Sequence, residues 1–485
     1  MRTPRILGAI LLAALILRIL LYHGFAASDD ITYHEEADRL LDGTYRLTDP
    51  ELDLKGLRFG ILVPLALLKS FLPAPLASAV LTIGASLGSI VAVFFLGRRF
   101  RSERAGLAAA ALLAAAPLSI QMSTCLFPEV LVTFTMLGSL LLFMRARPVP
   151  AAVAGVLAGL ALTQKENAFY WIPFFAWWAW KERTPGRVWA WGAAGLAVVG
   201  IGLLTFYAAF AGDPLHQLRV IDRQYGGELA AIWYPDGASI LRRLFLELPS
   251  LFFDPRQVST AAFGFTFVLA APAAWLLRKD PAARPALVMG AVLLLLFNFF
   301  PARLFPYLPN TTLYRYLYPL FIPAALLLGA AADARPRWAI RAAVPFLAVQ
   351  LACSWAIHAD ARARNSNVRE LAGLLRSRSE RIWSDSRTVP ALRYQLGRGR
   401  DARVLSKEEP PAGDLVLVNY QYLRLNLVWH GLEIPEVFTR ARPHWRPIAE
   451  VVPRARVGIR RGSFGFRPAA EDRAVLYQVG PPAGP

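Results

Sequence analysis

Apolar runs separated by short polar turns recur along most of the chain. They cover roughly Ile6–Phe25, Leu76–Gly97, Ala105–Met122, Glu129–Met144, Val149–Gln164, Ala168–Trp180, Val188–Ala211, Ala262–Leu277, Pro285–Phe300, Tyr316–Ala332 and Trp338–His358. A helix needs about 20 apolar residues to cross the hydrocarbon core of a bilayer. The longer runs therefore predict transmembrane helices, and the shorter ones predict spans with soft boundaries. Together they predict about eleven spans. Arg58–Leu72 is also apolar, but it is short, broken by Pro64 and carries Lys69, which predicts an interfacial or re-entrant segment.

The turns test this assignment. Arg98, Arg99, Arg101 and Arg104 share one turn, and Arg145 and Arg147 the next on that side. Lys181, Arg183 and Arg187 follow, then Arg278, Lys279 and Arg284, then Arg335 and Arg337. Every second connection is basic, on the side of Arg2 and Arg5, as the retention of positive charge in cytoplasmic loops requires. The N-terminus is then cytoplasmic and the C-terminus outside. Phe25-Ala26-Ala27 offers the small residues of a signal-peptide cleavage site, but the length of the first run and its internal Arg18 predict a retained helix.

Three regions face the exterior in this topology: 26–75, 212–261 and the tail from 359. In the tail, Arg381–Ser384 and Leu415–Asn419 read as strands, with Val389–Leu396 a helix between them and Trp445–Arg460 and Ala474–Val479 as later strands. The chain thus divides into a membrane domain, 1–358, and a small extracytoplasmic α/β domain, 359–485, long enough for its own core.

Composition agrees with a membrane protein: 55% of the 485 residues are hydrophobic and the mean hydropathy is +0.39. The net charge of +19 brings nucleic acid to mind as a partner, but much of the excess sits in the turns and serves topology. Cys125 and Cys353 form no disulfide framework and no metal spacing. No His/Asp/Glu set has metal-ligand spacing, and no Gly-rich phosphate loop points to a nucleotide sugar.

The candidate chemistry starts at Asp29-Asp30-Ile31-Thr32-Tyr33-His34-Glu35-Glu36, just outside the first span. Acids near hydrocarbon are costly to desolvate. Tyr33, Ala37, Leu40 and Leu41 recur at helical spacing, which predicts an amphipathic helix along the interface. Asp29 and Asp30 at its start read either as caps or as functional acids. Glu129, Arg58, Lys165 and Arg315 all fall near the same predicted surface. Each cation either anchors a helix end by snorkelling or contacts a phosphate. Glu166 reads as a partner for Lys165. Arg18 inside the first span reaches outward or pairs within the bundle, and Trp171, Trp177, Trp178 and Trp180 read as interfacial belt and packing. Arg219, Asp222, Arg223, Tyr225 and Trp233 read as a solvated amphipathic helix in the second outer loop.

Asp29-Asp30-x-x-Tyr33-x-x-x-Ala37-x-x-Leu40-x-x-Gly43 after a first membrane helix resembles the Asp-Glu signature of GT-C glycosyltransferases, in particular the protein O-mannosyltransferase and lipid A aminoarabinose transferase group (glycosyltransferase family 39-like). Phe127-Pro128-Glu129-Val130-Leu131, Gly159-Leu-Ala-Leu-Thr163-Gln164-Lys165-Glu166 and Arg315-Tyr316-Leu317-Tyr318-Pro319-Leu320 resemble further stretches of that group in the same order. The resemblance covers about residues 1–330. Asp30 stands where the group has Glu, and Arg58-Phe59-Gly60 where many members have Lys-Pro-Pro.

The resemblance implies a polytopic GT-C membrane enzyme, integral to the plasma (cell inner) membrane, that moves a hexose or pentose from a polyprenyl-phosphate donor to an extracytoplasmic glycan, lipid or protein. Asp29 is the implied general base of an inverting displacement, with its pKa raised by the hydrocarbon beside it. Asp30 and Glu129 complete the catalytic set. Arg58, Lys165, Arg315, Tyr33, Glu166 and Tyr316 are implied contacts of the lipid phosphate or sugar. No protein metal site is expected, although a divalent cation (Mg or Mn) between Asp29, Glu129 and phosphate remains an option. A transporter or flippase of lipid-linked saccharide is the alternative, but the unpaired acids cluster outside the membrane and no repeat of halves appears.

Overall fold

The computed structural model describes residues 2–25, 29–49, 52–226, 236–255, 257–303, 307–309, 313–364, 366–397, 400–405, 409–423, 436–439, 442–452, 457–460, 463–466 and 473–481. Ala26 and Trp233 lie outside them. Helices occupy each of the predicted spans: α1 (Arg2–Leu20), α4 (Ala74–Phe100), α5 (Glu103–Ala115) with α6 (Pro117–Thr124), α7 (Pro128–Phe143), α8 (Pro148–Gln164), α9 (Ile172–Lys181), α10 (Gly186–Ala211), α12 (Thr266–Leu276), α13 (Arg284–Phe299), α14 (Phe321–Ala334) and α15 (Pro336–Arg364). Among the described residues, five segments, in α1, α4, α10, 314–334 and α15, are long and apolar enough to cross a bilayer, and the bent pair α5/α6 makes a sixth if it is one span. The remaining spans are shorter apolar helices. The helices between spans include α2 (Asp29–Leu41), α3 (Phe59–Lys69) and α11 (His216–Gly226).

Local chemistry explains two features that shape the bundle. Pro117 has no N–H and forces the preceding residue out of the helical region. Ala116 is accordingly extended (φ −61°, ψ 125°), and the α5/α6 pair bends by 57°. A helix broken inside the membrane leaves carbonyls that need donors. Arg18, fully buried, supplies one: its Nη1 donates to Ala114 O at 3.1 Å and its Nη2 to Ser119 Oγ at 3.0 Å. The same guanidinium reaches Ser86 Oγ through Nε at 3.0 Å, tying α1, α4, α5 and α6 together. The second feature is the crossing of α8 and α10. A Cβ on Gly155 would run into the Gly192 carbonyl and one on Gly195 into the Ala152 carbonyl. Small residues let the two backbones meet there, as helix pairs in membranes favour.

The basic turns gather on one side of the bundle. Arg101 Nε lies 2.8 Å from Asp333, and its Nη1 pairs with Asp280, so the turns after α4 and α12 meet the C-terminal end of α14, as the alternation of basic turns predicts. On the other side α11 packs Val220 against Leu52, Leu54 and Leu57, while Arg219 is 76% exposed, a solvated amphipathic helix as expected.

Beyond α15 the chain forms a small α/β unit. A five-stranded sheet has the order β4-β3-β5-β9-β6, built from β3 (Ile382–Ser384), β4 (Ala402–Val404), β5 (Leu415–Asn419), β6 (Trp445–Val451) and β9 (Ala474–Val479). β3 runs parallel to β4 and β5, and β9 is antiparallel to β5 and β6. Two hairpins lie apart from it, β1 (Pro301–Arg303) with β2 (Leu308–Pro309) and β7 (Val457–Arg460) with β8 (Ser463–Phe466). α16 (Ser366–Leu375) and α17 (Thr388–Leu396) pack on the sheet. Val368, Leu371, Leu375, Ile382, Leu392, Leu415 and Leu476 form its core, and Phe25 and Ile31 insert into that core from the membrane side. The first residues of α2 are thereby clamped between bundle and terminal domain.

Candidate active site

Four segments converge where α2 begins: the loop before α3, the first turn of α7, the 3-10 turn Glu166–Trp171 and the 3-10 turn Tyr314–Leu320. Each presents a charged group. Asp29, in the first turn of α2, accepts from Arg315 Nη2 at 2.5 Å and lies 3.7 Å from Lys55 Nζ. Lys55 is held in turn by Asp53 at 2.6 Å. Arg58 donates through Nη1 to the Tyr33 hydroxyl at 2.5 Å and through Nη2 to both Glu166 oxygens at 3.1 and 3.0 Å. Lys165 donates to Glu129 Oε1 at 2.6 Å and sits 3.6 Å over the Tyr316 ring. Arg315 stacks on Phe127 at 4.7 Å.

All nine residues expected at the site therefore lie on the elements that meet here, but their pairings differ from the expectation. Glu166 pairs with Arg58, not with its neighbour Lys165, because successive residues at the start of the 3-10 turn point to different sides. Lys165 instead neutralises Glu129, which is 1% exposed. Glu129 Oε2 is buried and has no hydrogen-bond partner among the described residues. Asp30 is fully buried. Its charge acts on Arg387 and Tyr422 of the terminal domain.

The electrostatics correct one expectation. Burial alone would raise the Asp29 carboxyl, but Arg315, Lys55 and Arg58 outweigh it and hold the group well below the usual carboxylate range. In the resting site Asp29 is an ion-paired carboxylate and not the high-pKa base that proximity to hydrocarbon suggested. Glu166 behaves likewise: burial opposes ionisation, but Arg58 and Lys165 lower its pKa. Tyr33 moves the other way, raised by burial despite Arg58.

Lys55 and Asp53 were not anticipated. The signal was present in Asp53-Leu54-Lys55-Gly56-Leu57-Arg58, a charged turn three residues before a residue already singled out. Among the described residues no group of three His, Cys, Asp or Glu side chains is placed to hold a metal ion. Asp29 and Glu129, the acids considered for one, are paired with Arg315 and Lys165 respectively.

Next to these charges opens a largely apolar pocket of about 560 Å³ lined by Leu203, Leu204, Leu218, Phe297 and Phe300 together with Lys165, Glu166 and Tyr316.

Residues 71–205 match the family model described as dolichyl-phosphate-mannose-protein mannosyltransferase. Among curated proteins none matches the sequence closely enough to count as a relative. Among solved structures, the chain is similar to ArnT from Cupriavidus metallidurans bound to undecaprenyl phosphate, with 12% identity, a TM-score of 0.57, and 99% of this chain and 98% of that one covered. The fold is that of the GT-C superfamily. The GT-C likeness extends to the archaeal oligosaccharyltransferase AglB from Archaeoglobus fulgidus in complex with an inhibitory peptide and a dolichol-phosphate, at 13% identity, a TM-score of 0.51, and 96% of this chain and 74% of that one covered. A further structure of that oligosaccharyltransferase, in complex with Zn and sulfate, aligns with a TM-score of 0.52 at 13% identity, covering 95% of this chain and 72% of that one. At these identities the GT-C likeness is one of fold, and it spans both the bundle and the terminal domain.

Proposed function

We propose that this chain is a glycosyltransferase that moves a sugar from a polyprenyl-phosphate donor to an extracytoplasmic acceptor. The observation that carries the reading is the apolar pocket whose lining includes Lys165, Glu166 and Tyr316, residues of the charged cluster that also holds Arg58, Lys55 and Arg315. An amphiphile with a long apolar chain and an anionic head suits such a pocket, and the bound undecaprenyl phosphate and dolichol-phosphate of the two structural neighbours support that class of donor. The family-model match over residues 71–205 supports a sugar as the transferred group.

The reaction in this reading is a single displacement. An acceptor hydroxyl attacks the anomeric carbon as the bond to the phosphate oxygen breaks, and the hydroxyl proton passes to Asp29. The departing polyprenyl phosphate takes the electron pair, and Arg58, Lys55 and Arg315 neutralise its charge. Backside attack inverts the anomeric centre. The depressed pKa of Asp29 in the resting site is reconciled with this role by competition: donor phosphate draws Arg315 and Lys55 away from Asp29 and restores its basicity. Tyr33 and Glu166 orient Arg58, while Glu129 and Tyr316 hold Lys165 at the mouth of the lipid pocket. Asp30 anchors the start of α2 against the terminal domain. The site faces outward and the N-terminus is cytoplasmic, in keeping with the basic turns on the opposite side.

The test is mass spectrometry of polyprenyl-phosphate lipids in cells making the wild type or Asp29→Asn. Loss of a general base slows transfer by about 10²–10⁴-fold, so a sugar-loaded carrier is expected to accumulate with the variant alone. Identical lipid pools, with both proteins folded in the membrane, would refute the assignment.

A further inference from the structure

A second opening lies on the water side of α2. It is a cleft of about 1180 Å³ between the polar face of α2, the turn before α4 and the α17–β4 edge of the terminal domain. Pockets for drug-sized ligands span about 300–1,000 Å³, so this one has room for more than a single sugar ring. Its lining carries both signs, Glu35, Glu36 and Asp38 with Arg39, Lys69 and Arg393, and two of these pair directly, Glu36 with Arg39 at 3.4 Å and Asp38 with Lys69 at 2.7 Å. Arg393 Nη1 lies 3.6 Å from Glu35, and Glu36, 9% exposed, keeps its Oε2 without a hydrogen-bond partner among the described residues.

A wall of mixed sign favours neither a polyanion nor a polycation. Carboxylates only accept hydrogen bonds and guanidinium groups only donate them, whereas a hydroxyl does both. A ligand dense in hydroxyls can therefore bridge neighbouring groups of opposite type along such a wall. The cleft also reaches the charged centre. Asp53 lines it and holds Lys55 at 2.6 Å, which faces Asp29 at 3.7 Å. Glu36 lies seven residues after Asp29, about 10 Å along the axis of α2. The apolar pocket touches the centre through other residues, Lys165, Glu166 and Tyr316.

We propose that this cleft is the acceptor site and that the acceptor is a polyhydroxylated saccharide headgroup entering from water. The inference rests on the glycosyltransferase reading.

Two variants test it without touching the charged centre. Gln395→Trp fills the cleft from the α17 side, and Glu35→Gln with Arg393→Gln removes one acceptor–donor pair from its wall. Charge-assisted hydrogen bonds contribute about 1.5–3 kcal/mol each, so loss of two is expected to slow acceptor use by tenfold or more. Both variants should accumulate the sugar-loaded carrier in cells, as Asp29→Asn does. Both should also keep the wild-type rise in melting temperature when undecaprenyl phosphate is added to the purified full chain. On an array of immobilised oligosaccharides the wild type should bind and Gln395→Trp should not. Normal carrier consumption by both variants, or loss of their response to undecaprenyl phosphate, overturns the cleft assignment. Equal binding to the array by wild type and variant, or binding by neither, overturns the saccharide assignment. Absence of carrier accumulation with Asp29→Asn itself removes the transferase reading, and this inference with it.

Discussion

Lys165→Met removes the ammonium that lies 2.6 Å from Glu129 and leaves the carboxylate in a site where it is 1% exposed. Met keeps most of the apolar volume of the Lys stem, so the change isolates the charge. Breaking a buried ion pair by deleting one partner costs about 3–5 kcal/mol, because the surviving charge stays desolvated. Removing both charges is far milder. The variant Glu129→Gln with Lys165→Met should recover most of the loss, and the double-mutant cycle should give a coupling of about 2–3 kcal/mol. Equilibrium unfolding of the purified protein in mixed micelles, followed by tryptophan fluorescence, measures each corner of the cycle. A cost below about 1 kcal/mol for Lys165→Met would place the pair among solvated surface salt bridges and refute its role as a sealed, preformed unit at the lipid pocket. Donor consumption should fail in the single and the double variant alike, because the cation is gone from both.

Arg18→Met should destabilise the bundle by about 1–3 kcal/mol for each buried carbonyl or hydroxyl left without a donor, Ala114 O and Ser119 Oγ first among them; a thermal melt equal to that of the wild type would show that the α5/α6 break needs no donor from α1. The depressed Asp29 pKa sets a sign for pH. Its contribution to stability is fully present above the unfolded carboxylate value of about 3.9 and is lost only as pH falls through the lower folded value. The acidic limb of the kcat/KM profile, which reports the free enzyme, should therefore lie below the usual carboxylate range and move up in Arg315→Gln; an unmoved limb would mean that Arg315 does not set the state of Asp29.

Much of the architecture was legible because it rests on local rules. Apolar runs and alternating basic turns located the helices, and Leu415–Asn419 and Ala474–Val479 announced themselves as strands by their β-branched and apolar runs. The site was legible as a set of residue types and opaque as a set of contacts. Arg315 meets Asp29 across most of the chain, and Arg58 meets Glu166 across the whole of α3 to α8, distances at which sequence proximity carries no information. Lys165 and Glu166 seemed natural partners for that reason, and the fold separates them. The pKa of Asp29 was misjudged on the same ground: nearness to hydrocarbon was visible in the sequence, but the three cations that reverse its effect come from segments far from α2. Lys55, three residues from Arg58, carries no signal of its own in the sequence, because a basic residue in a loop near a membrane has an ordinary explanation.

The apolar pocket and the water-facing cleft touch the charged centre through different residues, and on the proposed reading that separation bears on how reactants arrive and leave. Each reactant then stays in its own solvent until the final approach, and only the reacting atoms need to be stripped of their surroundings. The spent polyprenyl phosphate leaves through the apolar pocket and the lengthened saccharide through the cleft, so neither product has to clear the other's path. Forward and reverse encounters alike draw one partner from each opening, so the separation sets the traffic at the site and leaves the direction of the reaction to the bonds exchanged.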